Sequence, residues 1–284
     1  MKLVHLILAH SAPAQLERLI RKLAHPDADI YIHLDKKATI DAFIYLEQIE
    51  NVFFIKDRCR VDWGSFAMVQ ATLCSFKEIL LSGKKYDYLN LLSGQDYPLK
   101  SYDTVHKFLK EHPNTAFMNF LMMETEWQEA MPRIEEYHFH HLKISGRFIL
   151  QSVVNSLLPI RSFPGGMIPV GRSQWFTIPL DCVEYIVDFW AGNKKLQRFI
   201  KWTWAPDEFI FQTILFNSVH KSKMVNRDLR YIDWSAGGVS PKTLNITDAD
   251  KMLASGAFWA RKLDMSRDPA LFDLLDEHAA ETVA

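Results

Sequence analysis

The sequence predicts an α/β fold: a mostly parallel sheet covered by helices on both faces. Three observations lead there. Short apolar runs alternate with helix-period segments from Leu3 to Leu92, the signature of strands connected through helices. Polar clusters follow three of those runs, His10-Ser11, Asp35-Lys36-Lys37 and Ser93-Gly94-Gln95-Asp96. In parallel sheets ligands bind where strands end at their carboxyl side. Finally, 284 residues with 48% hydrophobic and 13% aromatic content fill one interior, so a single domain with an elaborated second half is expected.

Taken in order, Leu3–Ala9 is the first strand, too short to span a membrane. Leu16, Leu19, Ile20 and Leu23 recur at helical spacing and predict a helix over Ala14–Leu23. Asp29–Leu34 and Val52–Ile55 are strands, with a short helix near Ile40–Ile49 between them. Ser65–Leu81 is an amphipathic helix and Tyr86–Leu92 a strongly apolar strand. Ser101–Lys110 continues as helix and Ala116–Phe120 as strand. The stretch Glu124–His141 turns polar, and the Pro and Gly residues of Gln151–Gly171 predict a long loop. A strand over Ser173–Ile178 and helices over Leu180–Trp190 and Glu208–Phe216 come next. Arg230–Asp233 is a short strand, Gly237–Thr243 a loop, and Thr247–Ala254 and Pro269–His278 are the last helices.

Charge and motifs narrow the function. Lys plus Arg is 33 against 34 for Asp plus Glu, which argues against a nucleic-acid partner. Cys59, Cys74 and Cys182 are odd in number and widely spaced, as in a reducing compartment, and suggest neither a disulfide framework nor a metal cluster. No apolar run reaches membrane-span length, so a soluble, cytoplasmic protein is expected. There is no Walker A loop, no G-x-G-x-x-G and no G-x-S-x-G elbow. His138, His140 and His141 with Glu135 and Glu136 lack the spacing of a metal site and suggest a loop that touches substrate.

The strongest local candidate is Trp204-Ala205-Pro206-Asp207-Glu208-Phe209-Ile210-Phe211. Proline suits the first position of a helix, and two carboxylates behind it would sit in the first turn, at the positive end of the dipole. A carboxylate walled by Trp and Phe is also a desolvated one, hence a better proton acceptor. Locally, an ordinary acidic helix start explains the same residues equally well.

The motifs in sequence order carry a resemblance. Ile32-His33-Leu34-Asp35-Lys36-Lys37, Val61-Asp62-Trp63-Gly64, Asn90–Lys100, Ser173-Gln174-Trp175-Phe176 and Ala205-Pro206-Asp207-Glu208 follow one another as in the core-2/I-branching β-1,6-N-acetylglucosaminyltransferases. That family also contains the peptide O-xylosyltransferases, and the similarity spans about residues 3–278. The resemblance implies a glycosyltransferase A-type (Rossmann-like) fold. Residues 1–120 would bind the nucleotide sugar, and 121–284 would bind the acceptor and supply catalysis. It further implies inverting transfer from a UDP-sugar without a metal or other cofactor. Glu208 matches the family's catalytic base. Ala9, His10 and Asp35 fall in the nucleotide-binding part, and Lys242 and Lys262 on the two cations that hold the diphosphate. Lys242 stands where relatives carry Arg, keeping the charge and losing the bidentate fork. Asp96, Trp175, Asp207 and Trp234 fall at the substrate.

The expected reaction is attack of an acceptor hydroxyl, deprotonated by Glu208, on the anomeric carbon, giving a β-linkage. GlcNAc and xylose are the leading donors; the acceptor is a glycan, a lipid-linked molecule or a peptide. A lipid-linked acceptor would bring the enzyme to the inner face of the membrane, as a peripheral contact. Two rivals stay open: a carbohydrate hydrolase pairing Glu208 with Glu135 or Glu136, and a non-catalytic protein that binds nucleotide sugar or glycan.

Overall fold

A computed structural model describes residues 1–140, 142 and 144–281; of the histidines expected at the substrate, His141 lies outside them. The chain forms two compact units, one from 1–56, 85–115 and 228–284, the other from 57–84 and 116–227. It enters the first with β1 (Leu3–Ala9), α1 (Pro13–Leu23), β2 (Ala28–Leu34) and β3 (Val52–Phe54), and gives α2 (Phe66–Leu81) to the second. The first unit then takes β4 (Tyr88–Ser93), β5 (Tyr97–Pro98) and α3 (Tyr102–Glu111). The second takes β6 (Ala116–Met122), α4 (Met131–Glu135), α5 (Arg147–Leu157), β7 (Val170–Pro179), α6 (Leu180–Gly192), α7 (Lys194–Lys201), α8 (Ile210–Phe216) and β8 (Met224–Asn226). The chain ends in the first unit with β9 (Arg230–Ile232), α9 (Ala249–Ala254), β10 (Trp259–Arg261) and α10 (Pro269–Glu281).

The predicted class is borne out: helices flank sheets in which parallel pairing dominates. In the first unit β3, β2, β1 and β4 run parallel, in that order. Every residue of β2 and β4 is buried, as expected of parallel strands covered on both faces. The register aligns Ala9 with Leu34 and Leu8 with Ser93, so all three strands finish at one edge of the sheet. A small sheet of β5, β10 and β9 completes this unit. In the second unit β6 pairs antiparallel with β7 and parallel with β8, with a register shift between Met118 and Phe120. Its core stacks Phe76 of α2 against Phe176 and Phe211, with ring centroids 5.7–6.4 Å apart. Burying each such ring contributes roughly 2–3 kcal/mol.

Three expectations needed revision, and one helix had not been assigned. The predicted helix near Ile40–Ile49 is two 3-10 turns, Ile40–Ala42 and Ile44–Gln48. The predicted loop Gln151–Gly171 is partly helix, because α5 runs to Leu157, and its end already belongs to β7. Lys194–Lys201, unassigned from sequence, is a helix capped by Asn193, whose side chain accepts the Leu196 amide. The helix expected from Glu208 begins only at Ile210; Pro206–Glu208 is a 3-10 turn in front of it.

That turn presses on β7. A Cβ at Gly171 would overlap Cα and Cβ of Phe209 and reach within 2.5 Å of the Glu208 carbonyl oxygen. Gly171→Ala should therefore destabilise by roughly 1–3 kcal/mol, read as a lower midpoint in urea unfolding. An unchanged midpoint would show that the turn can retreat.

Candidate active site

The Glu208 turn is set from both ends. Ala205 adopts a left-handed backbone, φ 45° and ψ 51°, uncommon and costly for a residue with a side chain. Its amide donates to the Gly64 carbonyl oxygen at 2.8 Å, and Pro206 follows with φ already restricted. Gly64 is itself at φ 68°, and a Cβ there would come within 2.6 Å of Trp204 Nε1. The Asp62-Trp63-Gly64-Ser65 motif thus does two things in the second unit. Ser65 caps α2, and Gly64 leaves room for the Trp204 indole.

The two carboxylates of the turn differ sharply. Asp207 is buried, and its Oδ1 has no protein partner among the described residues. Burial, then the charge of Glu208, pushes its carboxyl up to about 7. Glu208 keeps 28% of its side-chain surface and accepts a 2.5 Å hydrogen bond from Arg133 Nη1. The guanidinium lies over two indoles, 4.8 Å from the Trp127 centroid and 4.7 Å from that of Trp204. Each such contact is worth about 0.5–1 kcal/mol when partly exposed. His140 stacks on Trp204 at 6.0 Å, and exposed Trp63 meets it edge-on at 6.1 Å. Glu208 is therefore an accessible carboxylate in an aromatic wall, oriented by one cation. Trp175 lies buried in the same unit.

Sequence reading missed Arg133. It stands in the polar stretch and 75 residues before Glu208, where no spacing signal operates.

The first unit holds the remaining candidates. Ala9 ends β1, where its carbonyl oxygen accepts the Asp35 amide at 2.8 Å, and exposed His10 follows. Asp35 follows the end of β2; its carboxylate accepts the Lys37 amide and lies 3.6 Å from Lys37 Nζ. Asp96 has no accessible surface: Arg261 and the Ser93 amide donate to its two oxygens, and burial pushes its carboxyl up. It supports the β4 end from inside the protein. Lys242 pairs with Asp248 at 2.6 Å, which raises its ammonium. Its backbone segment is joined to Lys262 by the bond from the Leu244 amide to the Lys262 carbonyl oxygen. Burial, then Arg261 and Arg267, pushes the Lys262 ammonium down. Trp234 is exposed nearby in sequence.

Two Asp-x-Asp triplets occur, Asp27-Ala28-Asp29 and Asp248-Ala249-Asp250. Asp29 belongs to the amino end of β2 and binds Tyr86 and Lys2, while Asp248 holds Lys242 and the Asn245 amide. One other group has metal-ligand chemistry among the described residues. Asp181, Cys182 and His220 gather within 4.8 Å, although the Lys223 ammonium already engages Asp181. The cysteine count gave no hint of it.

Known proteins resemble this chain along most of its length. The family model for core-2/I-branching enzymes matches residues 3–254, and the chain belongs to that family. It is 26% identical to rat xylosyltransferase 1 over 96% of this chain and 35% of that protein. Mouse xylosyltransferase 2 is 24% identical over 98% of this chain and 33% of its own length. The chain thus spans about a third of these relatives. The crystal structure of mouse xyloside xylosyltransferase 1 in its apo form aligns over 91% of this chain and 97% of that one, with 10% identity and a TM-score of 0.42.

Asp207 makes stability depend on pH. From about pH 4 to about 7 the native carboxyl keeps a proton that the unfolded chain has lost, so stability falls as pH rises through that window. Asp207→Asn removes the penalty, of order a few kcal/mol at 1.36 kcal/mol per unit. Thermal melts of the two proteins should diverge with pH, the variant gaining on wild type up to pH about 8. Parallel profiles would refute the burial of a charge at this position.

Proposed function

We propose that the chain is an inverting glycosyltransferase that moves a sugar from a UDP-sugar to a hydroxyl acceptor, with Glu208 as general base. The observation that carries this reading is Glu208 itself. The family match covers the Pro206-Asp207-Glu208 motif, and the second carboxylate beside it is buried while Glu208 is accessible. The relatives' names favour xylose as donor, and the resemblance to the N-acetylglucosaminyltransferases keeps GlcNAc as the second candidate. The acceptor is a glycan, a lipid-linked molecule or a peptide.

In the reaction the acceptor hydroxyl donates its proton to the Glu208 carboxylate as its oxygen attacks the anomeric carbon. The bond to the diphosphate oxygen breaks on the opposite face, and the electron pair leaves with UDP. One displacement inverts the centre, so an α-linked donor gives a β-linked product. Arg133 keeps Glu208 in one orientation, and the exposed indole of Trp63, edge-on to Trp204, offers a flat apolar surface to a sugar ring. Lys242 and Lys262 neutralise the departing diphosphate. Lys262 lacks an ion-pair partner among the described residues, and its depressed ammonium gains most from an incoming dianion.

Two measurements test the reading. Glu208→Gln should cost about two decades or more in kcat, and transfer at the wild-type rate would remove Glu208 from the base role. Transfer should persist in excess EDTA; strict dependence on Mn²⁺ or Mg²⁺ would overturn the assignment of diphosphate neutralisation to the lysines.

A further inference from the structure

Helix α5 is built inside out. Its two amide side chains turn toward the protein, while Ser152 and Ser156 are exposed: Gln151 accepts the Phe139 amide, and Asn155 both accepts the Tyr137 amide and donates to the Tyr137 carbonyl oxygen. The helix buries no residue completely. Its large apolar side chains face outward instead, Phe148 60% exposed, Ile149 73% and Leu157 77%, and Ile160 just beyond is 78% exposed. Leu150, Val153, Leu158, Ile144 and Ile168 extend the same apolar exposure. Single exposed hydrophobes need no explanation, but a concentration of this kind marks an interaction surface.

The charge around it selects the partner. No Asp or Glu occurs between Glu136 and Asp181, while Lys143, Arg147, Arg161 and Arg172 do, in a chain whose net charge is -1. Arg147 and Arg161 spend their hydrogen bonds on the backbone carbonyls of His140, Leu142, Glu136, Phe199 and Trp202 and on the Thr203 hydroxyl. The positive charge of these two is therefore not cancelled by a carboxylate, whereas Arg172 is paired with Glu129 at 3.2 Å. An apolar helix face within a purely basic segment matches an anionic lipid surface, where the side chains enter the acyl boundary and the cations meet headgroups. A second copy of the chain would bring the same uncompensated cations face to face.

We infer that α5 and the residues flanking it dock this protein on an anionic membrane surface. The helix lies in the unit that carries Glu208, so docking places that unit at the bilayer. The inference does not depend on which sugar is moved, nor on Glu208 being the base.

Flotation with vesicles tests it without donor or turnover. Wild type should float with phosphatidylcholine vesicles containing about one third phosphatidylglycerol, and much less with phosphatidylcholine alone. The triple variant Phe148→Ser, Ile149→Ser, Leu157→Ser should partition about tenfold more weakly or worse. All three positions are exposed, and a circular-dichroism melt checks that the fold survives. Should it not, Val153→Asp alone carries the test, with the same expected loss. Equal flotation of wild type and variants would overturn the inference. So would a wild type that ignores both vesicles and sediments as a dimer which the triple variant converts to monomer, since α5 would then bind a second copy.

Discussion

At position 171 the backbone of β7 passes so close to the Phe209 backbone that only a hydrogen fits between them. The turn carrying Glu208 owes its place to that contact. It is fixed again at the other end by the left-handed Ala205, held to Gly64. Two glycines and one strained alanine thus hold the turn from independent directions, which lets a residue outside regular helix act as if on a rigid element. Arg133 then finds its carboxylate at a set position, and the indoles on either side set the guanidinium. Packing comes first in this chain of causes, and electrostatics follows.

The second unit buries the Asp207 carboxyl with one oxygen unpartnered among the described residues, whereas the first unit ties buried charge into a network. In the first, Arg230 is buried among Asn90, the Leu91 carbonyl and the Asp228 carbonyl, and burial pushes its guanidinium down to about 10. Beside it the buried His5 ring meets Asn90 and is held neutral, pushed down to about 3 by burial and by Arg230. Such networks stabilise little in net terms, but losing one member strands the others. They lock the carboxyl end of β4, where Asp96 and Arg261 also pair.

How much of this was readable beforehand varied with the kind of signal. The strands of the first unit were legible because burial on both faces leaves continuous apolar runs such as Leu3–Ala9 and Tyr88–Leu92. The Pro206-Asp207-Glu208 motif was legible as two carboxylates behind a proline, but not in its backbone structure. A proline suited to a helix start also suits a 3-10 turn, and the contact with Gly171 decides between them. Helix α5 went unseen because Gln151 and Asn155 serve the protein while large apolar side chains such as Phe148, Ile149 and Leu157 face out, with Pro and Gly close behind. Arg133 and the enclosure of Asp96 arise from contacts distant in sequence, which no local window reports.

The neighbouring carboxylates on the turn have a consequence for proton traffic. Part of what keeps Asp207 protonated is the negative charge of Glu208. The two sites are therefore linked: a proton arriving on Glu208 weakens the hold of Asp207 on its own. With Glu208 protonated, its buried neighbour becomes the stronger acid, so the titration of the turn belongs to the pair and to neither residue alone.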